Sequence, residues 1–129
     1  MGSARPTAEQ QRLHGELMVE KVLRATELIP SGQVIGYGEL GAIVGAGARQ
    51  VGQIMARHGS AVPWWRVTNA SGDLHPHALA EARPHWRMEG IDVKPNGRGC
   101  RIETYRCDLD ALASAWVAAT ADLGVQPAQ

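Results

Sequence analysis

Apolar residues recur at near-helical spacing through residues 7–28, at Leu13, Leu17, Val19, Val22, Leu23 and Ala25, and Thr7 stands where an N-cap belongs. The spacing predicts a long amphipathic helix. Ile29-Pro30-Ser31-Gly32 ends it, because proline cannot continue a helix and Ser-Gly favours a turn. Residues 33–36 then read as a short extended segment. Tyr37-Gly38-Glu39-Leu40 opens a second, short helix that runs to Val44 and closes in the glycine-rich Gly45-Ala46-Gly47. Residues 48–57 read as a third helix, with Val51, Ile54 and Met55 on one face and Arg49, Gln50, Gln53 and Arg57 on the others. Two short helices joined by a tight glycine turn form a helix-turn-helix pattern, whose second helix enters a DNA groove in proteins that bind DNA this way.

The second half of the chain is less regular. Residues 58–61 read as a loop, and Val62-Pro63-Trp64-Trp65-Arg66-Val67 is a dense apolar and aromatic stretch ending at the turn Asn69-Ala70-Ser71-Gly72. Residues 73–84, rich in His, Ala and Pro, are expected to be irregular, with one last helical turn over 85–90. Gly97-Arg98-Gly99 reads as a boundary, and residues 108–123 as an amphipathic helix capped by Asp108, with 125–129 frayed. The expected class is mainly α, a winged helix-turn-helix-like unit with a short β element and an extra C-terminal helix. The expected division is a DNA-binding domain over 1–95 and an extension over 96–129.

Composition narrows the function classes. The 129 residues suffice for one core, and 44% hydrophobic with 20% charged residues is ordinary for a globular domain. No apolar run approaches the roughly 18 residues that span a bilayer, and the N-terminal stretch lacks the apolar block of a signal peptide, so a cytoplasmic location, associated with the nucleoid when on DNA, is expected. Without such a signal the sequon at Asn69 carries no meaning. The net charge is zero, yet residues 46–106 hold nine basic against five acidic side chains, a net of +4, flanked by acidic ends. That distribution is compatible with phosphate contact on one face. The two cysteines, Cys100 and Cys107, are too few for a disulfide scaffold and lack zinc-ribbon spacing.

Three segments acquire meaning together. Ile35-Gly36-Tyr37-Gly38-Glu39-Leu40, Ala48-Arg49-Gln50-Val51-Gly52 and Val62-Pro63-Trp64-Trp65-Arg66-Val67, in this order and spacing, resemble the C-terminal domain of the O6-alkylguanine-DNA alkyltransferases, from about Met18 to Val93. In that family the third motif reads Pro-Cys-His-Arg: the cysteine accepts the alkyl group, and the histidine links it to a glutamate that helps form the thiolate. Here Trp64 stands at the cysteine and Trp65 at the histidine, the pattern of the alkyltransferase-like proteins, which resemble the enzymes but carry tryptophan or alanine there. Displacement needs a nucleophile, and an indole offers only an N–H donor.

The resemblance implies a non-enzymatic sensor that rotates O6-alkylguanine out of duplex DNA from the minor-groove side and flags it for nucleotide excision repair proteins, as a monomer without cofactor, metal or membrane contact. By the same resemblance Arg49 is the finger that fills the space the base leaves, and Tyr37 presses on the phosphate 3′ to it. Small Ala46, Gly47 and Ala48 let the helix start approach closely, with Gln50 and Gln53 on the same DNA-facing surface. Tyr37, Pro63, Trp64, Leu74, His77 and Ala78 are expected to line the lesion pocket, with His77 and Arg83 the nearest candidates to sense the O6 substituent. Arg66 is expected to order the motif internally, and Glu89, which can match the relay glutamate, to be structural. Two rival readings are a winged-helix regulator reading undamaged sequence in the major groove through residues 48–57, and a zinc enzyme using His75, His77, Cys100 and Cys107, whose spacing fits no standard site.

Overall fold

A computed structural model of the chain describes residues 4–124. Helix α1 (Ala8–Glu27) starts at a reciprocal cap. The Thr7 hydroxyl accepts the Gln10 N–H at 3.0 Å, and the Gln10 side-chain oxygen accepts the Thr7 N–H at 2.8 Å. Its inward face buries Met18, Val22 and Ala25, and the Thr26 hydroxyl, also buried, donates to the Val22 carbonyl at 2.9 Å, so no polar atom is stranded there. After the turn at Pro30, strand β1 (Ile35–Gly36) pairs in parallel with β2 (Val67–Thr68), Ile35 opposite Val67 and Gly36 opposite Thr68. Parallel pairing demands a long crossover. Helices α2 (Tyr37–Val44) and α3 (Ala48–His58) occupy it, with short 3-10 turns at Gly59–Ala61 and Trp64–Arg66.

The α2–α3 turn is built by glycine. Gly45 caps α2 with φ of 86°, a left-handed conformation costly for other residues, and its N–H and that of Ala46 both reach the Gly41 carbonyl at 2.8 Å. A Cβ on Gly41 would collide with the Ala46 carbonyl, so the close approach of the two helices requires hydrogen there.

Residues 73–84 depart from the irregular segment expected. They belong largely to helix α4 (Pro76–Glu89), which the sequence places only at its last turn. His75 caps it, its Nδ1 accepting the His77 N–H at 3.3 Å; Pro76 sits where a missing N–H is harmless. Pro84 cannot bond the Ala80 carbonyl, but both residues are exposed and water can take that carbonyl, so the helix survives its proline. Leu79, Ala82 and Trp86 bury the inner face.

The C-terminal segment is woven into the rest. Asp73 bridges Gly99 antiparallel and Val34 bridges Arg106 in parallel, with the Val34 N–H on the Tyr105 carbonyl at 2.8 Å and the Cys107 N–H on the Val34 carbonyl at 2.9 Å. Helix α5 (Ile102–Tyr105), which the sequence does not announce, lies between these bridges. Asp108 caps helix α6 (Leu109–Ala119) through the Ala111 N–H at 3.0 Å; the helix stops at Ala119 and a 3-10 turn follows at Ala121–Leu123. The expected fraying of residues 125–129 lies outside the described residues. Two clusters form the core: Cys107, Leu112 and Trp116 join α1, α2 and α3 in the first, and Val34, Leu74, Cys100 and Ile102 join α4 in the second. Among the described residues no helix is long and apolar enough to cross a membrane.

Candidate nucleic-acid interface

The start of α3 is exposed. Gly47 caps α3 in extended conformation without a side-chain hydrogen bond, and no acidic residue stands in the first turn, so the leading N–H groups are open to an anion. Gly47, Ala48, Arg49, Gln50 and Gln53 are exposed, while Ala46 is half-buried against the first core cluster. Gln50 and Gln53 also line a cleft of about 430 Å³ shared with Glu16 and Val19 of α1, so they sit toward the α1 side of α3. Tyr37, at the first position of α2, is half-buried against the same cluster, and burial pushes its phenol above the ordinary value. Glu39 anchors this helix start: one carboxylate oxygen accepts the Gly36 N–H at 3.0 Å and the other meets Arg106 at 2.8 Å.

The second half of the site is aromatic. Trp64 is half-buried at the junction of the two clusters and packs against both. Trp65 and Arg66 are turned onto α4. The Trp65 Nε1 donates to Glu89 at 2.7 Å, and Arg66 forks onto the same carboxylate at 2.9 and 2.8 Å while its third donor reaches the Ile29 carbonyl at 2.8 Å. The Gly32 N–H adds a fourth donor to Glu89 at 2.8 Å. Burial alone would raise the Glu89 carboxyl; the Arg66 fork, the Gly32 N–H and the Trp65 indole outweigh it and hold the group at about 2. Trp86 completes the clamp by donating from Nε1 to the Trp65 carbonyl at 2.7 Å. One carboxylate thus locks the 3-10 turn, the turn after α1 and α4 into fixed register.

The other pocket candidates fall into two groups. Leu74, only 7% exposed, is a core residue of the second cluster, Ala78 packs half-buried against that cluster, and Pro63 is half-buried beside Trp64. His77 is exposed, with Nε2 3.5 Å from Glu81, and Arg83 is exposed beside Trp86 and Arg87. The fold therefore gathers Pro63, Trp64, Leu74 and Ala78 and leaves His77 and Arg83 on the outside of α4. His85, which the sequence offers only as part of a helical turn, stacks on Trp65 with ring centroids 3.7 Å apart. Its spacing of four from Glu89 is the signal that places both on one helix face.

Neither cysteine has the surroundings of a nucleophile. Cys100 lies in the second cluster and burial pushes its thiol up to about 11; Cys107 lies in the first and burial raises it as well. Among the described residues no group of three or more His, Cys, Asp or Glu side chains could hold a metal ion.

A helix-turn-helix whose second helix has an open start carrying Arg49, backed by a Pro-Trp-Trp-Arg turn clamped to α4, is the arrangement expected of an alkyltransferase type of DNA-binding domain. The chain matches the family described as 6-O-methylguanine DNA methyltransferase, DNA binding domain, over residues 18–91. It belongs to that family, as an alkyltransferase-like protein. It is 34% identical over 93 residues to the DNA base-flipping protein of Escherichia coli (strain K12), covering 67% of this chain and 71% of that one. The DNA base-flipping protein of Vibrio parahaemolyticus is 36% identical over 76 residues, covering 54% of this chain and 76% of that one. Among solved structures, S. pombe Atl1 in complex with damaged DNA containing O6-carboxymethylguanine superposes with a TM-score of 0.64 at 29% identity, covering 72% of this chain and 96% of that one. S. pombe ATL in complex with DNA gives 0.61 at 30% identity, with the same coverage of 72% and 96%.

Proposed function

We propose that this protein binds duplex DNA carrying O6-alkylguanine from the minor-groove side, holds the damaged base rotated out of the stack against Trp64, and transfers nothing from it. The observation that carries the reading is an indole, Trp64, half-buried at the meeting point of both core clusters, at what the resemblance implies is the motif position where transfer chemistry needs a thiolate. Trp65, at the neighbouring relay position, is committed to Glu89 by its only donor, and the chain's two thiols are buried elsewhere. The names of the similar proteins support the same reading, since they are base-flipping proteins and a complex with an O6-modified guanine.

The exposed start of α3 supports the division of labour that the resemblance implies. Arg49 enters the stack and fills the vacancy left by the base, Tyr37 presses on the backbone phosphate, and the open N–H groups at the start of α3 receive phosphate oxygens. Extrusion costs a few kcal/mol, and stacking of the base on an aromatic wall returns about 1–3 kcal/mol of it. A complex that cannot turn over is a flag, and nucleotide excision repair proteins are the partners that would read it.

The test is a titration of the protein with matched duplexes containing guanine or O6-methylguanine, followed by mass spectrometry of the recovered protein. Tighter binding to the modified duplex with unchanged protein mass is expected. A gain in mass by one alkyl group would overturn the sensor reading in favour of an enzyme, and equal binding to both duplexes with dependence on base sequence would favour a transcription regulator.

A further inference from the structure

Each of the other three tryptophans is oriented by a hydrogen bond from its indole N–H: Trp65 to Glu89, Trp86 to the Trp65 carbonyl and Trp116 to the Lys21 carbonyl. Among the described residues the Trp64 indole makes no such bond, so its orientation rests on packing against the two core clusters and on ring contacts. The ring contacts come from a two-ring stack. His85, near the end of α4, lies on the Trp65 ring with centroids 3.7 Å apart and planes 7° from parallel. Trp64 stands beside this stack, 84° from the Trp65 plane and 77° from the His85 plane, with its centroid 5.9 and 6.3 Å from theirs. Edge-type pairings of this kind are the arrangement that ring quadrupoles favour.

The stack is itself immobilised. Trp65 is tied to Glu89, and Glu89 and His85 project from the same face of α4, four residues apart. The geometry points to His85 as a positioning residue for lesion recognition: by closing the stack on Trp65 it holds the Trp64 indole in the one orientation that receives an O6-alkylated base. This rests on the reading of Trp64 as the pocket wall. A wall already ordered before binding spends none of the stacking energy on its own immobilisation. A nearly equal distance from Trp64 to both rings means that removing either ring opens one side of the brace.

Three variants test it in the full chain, His85→Ala, His85→Leu and His85→Phe, each measured for affinity to matched guanine and O6-methylguanine duplexes and for thermal unfolding. The Ala and Leu variants are expected to lose about three- to tenfold in preference for the modified duplex, the range of one aromatic pairing, with affinity for the guanine duplex unchanged. Phe restores a flat ring and is expected to restore the preference. The inference is overturned if Ala keeps the parent's preference, if Leu performs as well as Phe, or if both affinities fall in parallel with the unfolding temperature. A parent protein with no preference at all sinks the proposed function itself; a preference that ignores His85 sinks only this inference.

Discussion

Glu89 accepts four hydrogen bonds from three residues in two separate segments, and that places it at the centre of the aromatic site. Its carboxyl is depressed from 4.5 to about 2, so it contributes stability that is complete above about pH 4.5 and drains away as pH falls toward 2. Glu89→Gln keeps the shape but leaves the Arg66 guanidinium, only 15% exposed, without its counter-charge. Breaking a pair this buried is expected to cost about 3 kcal/mol in urea unfolding at pH 7, and the variant's stability should fall less than the parent's between pH 4.5 and 2. An identical acid limb in both proteins would show that another carboxylate governs it. Arg49 sits at the opposite extreme, exposed and unpaired among the described salt bridges. Arg49→Ala should leave the unfolding midpoint alone yet weaken binding to O6-methylguanine duplex by about 1 kcal/mol or more, the scale expected when the side chain filling the vacated stack is truncated. Unchanged affinity in that variant would remove the finger role.

At the scale of elements, legibility follows chain-local chemistry. The bounds of α2 and α3 are visible because glycine and small residues punctuate them, and Thr7 and Asp108 are visible as caps because a hydroxyl or carboxylate ahead of a periodic run has one use. Helix α4 is hidden because Pro76 and Pro84 read as breakers, although one occupies the first turn and the other lies on the exposed face of the helix. The clamp on Glu89 is hidden for a different reason: its partners Gly32, Trp65 and Arg66 are distant in sequence, and only the fold makes them neighbours. Two glycines separate the same residue type by its surroundings. Gly41→Ala drives a methyl into the Ala46 carbonyl and should cost about 1–3 kcal/mol while loosening DNA binding, since α2 and α3 are forced apart. Gly15→Ala, in the interior of α1 with no atom within 4 Å of the new methyl, should raise stability by about 0.5–1 kcal/mol. Thermal unfolding of both distinguishes the turn requirement from mere helix propensity; a neutral Gly41→Ala would mean the turn can relax.

At the scale of the whole molecule, the family match ends at residue 91 while the core does not. Trp116 is 2% exposed, packs in the first cluster with Met18 and Val22, and donates its indole N–H to the Lys21 carbonyl at 2.9 Å, so α6 closes the side of α1 that the matched region leaves open. Arg24 latches the following turn by bonding Asp122 and the Ala119 carbonyl. Nothing in the local pattern of residues 108–123 says which helix receives them, because burial on a distant surface leaves only an amphipathic signature. A separate, dispensable extension and an integral part of the core make different predictions. If α6 is integral, Trp116→Ala should cost about 3–5 kcal/mol, as for other large aromatic truncations in cores. Unfolding followed by far-UV circular dichroism and by tryptophan fluorescence should then trace one coincident transition, shifted as a whole in the variant. Two separate transitions, with only the smaller one moved by Trp116→Ala, would make the C-terminal helix an independent appendage and confine the DNA-binding unit to the residues before it.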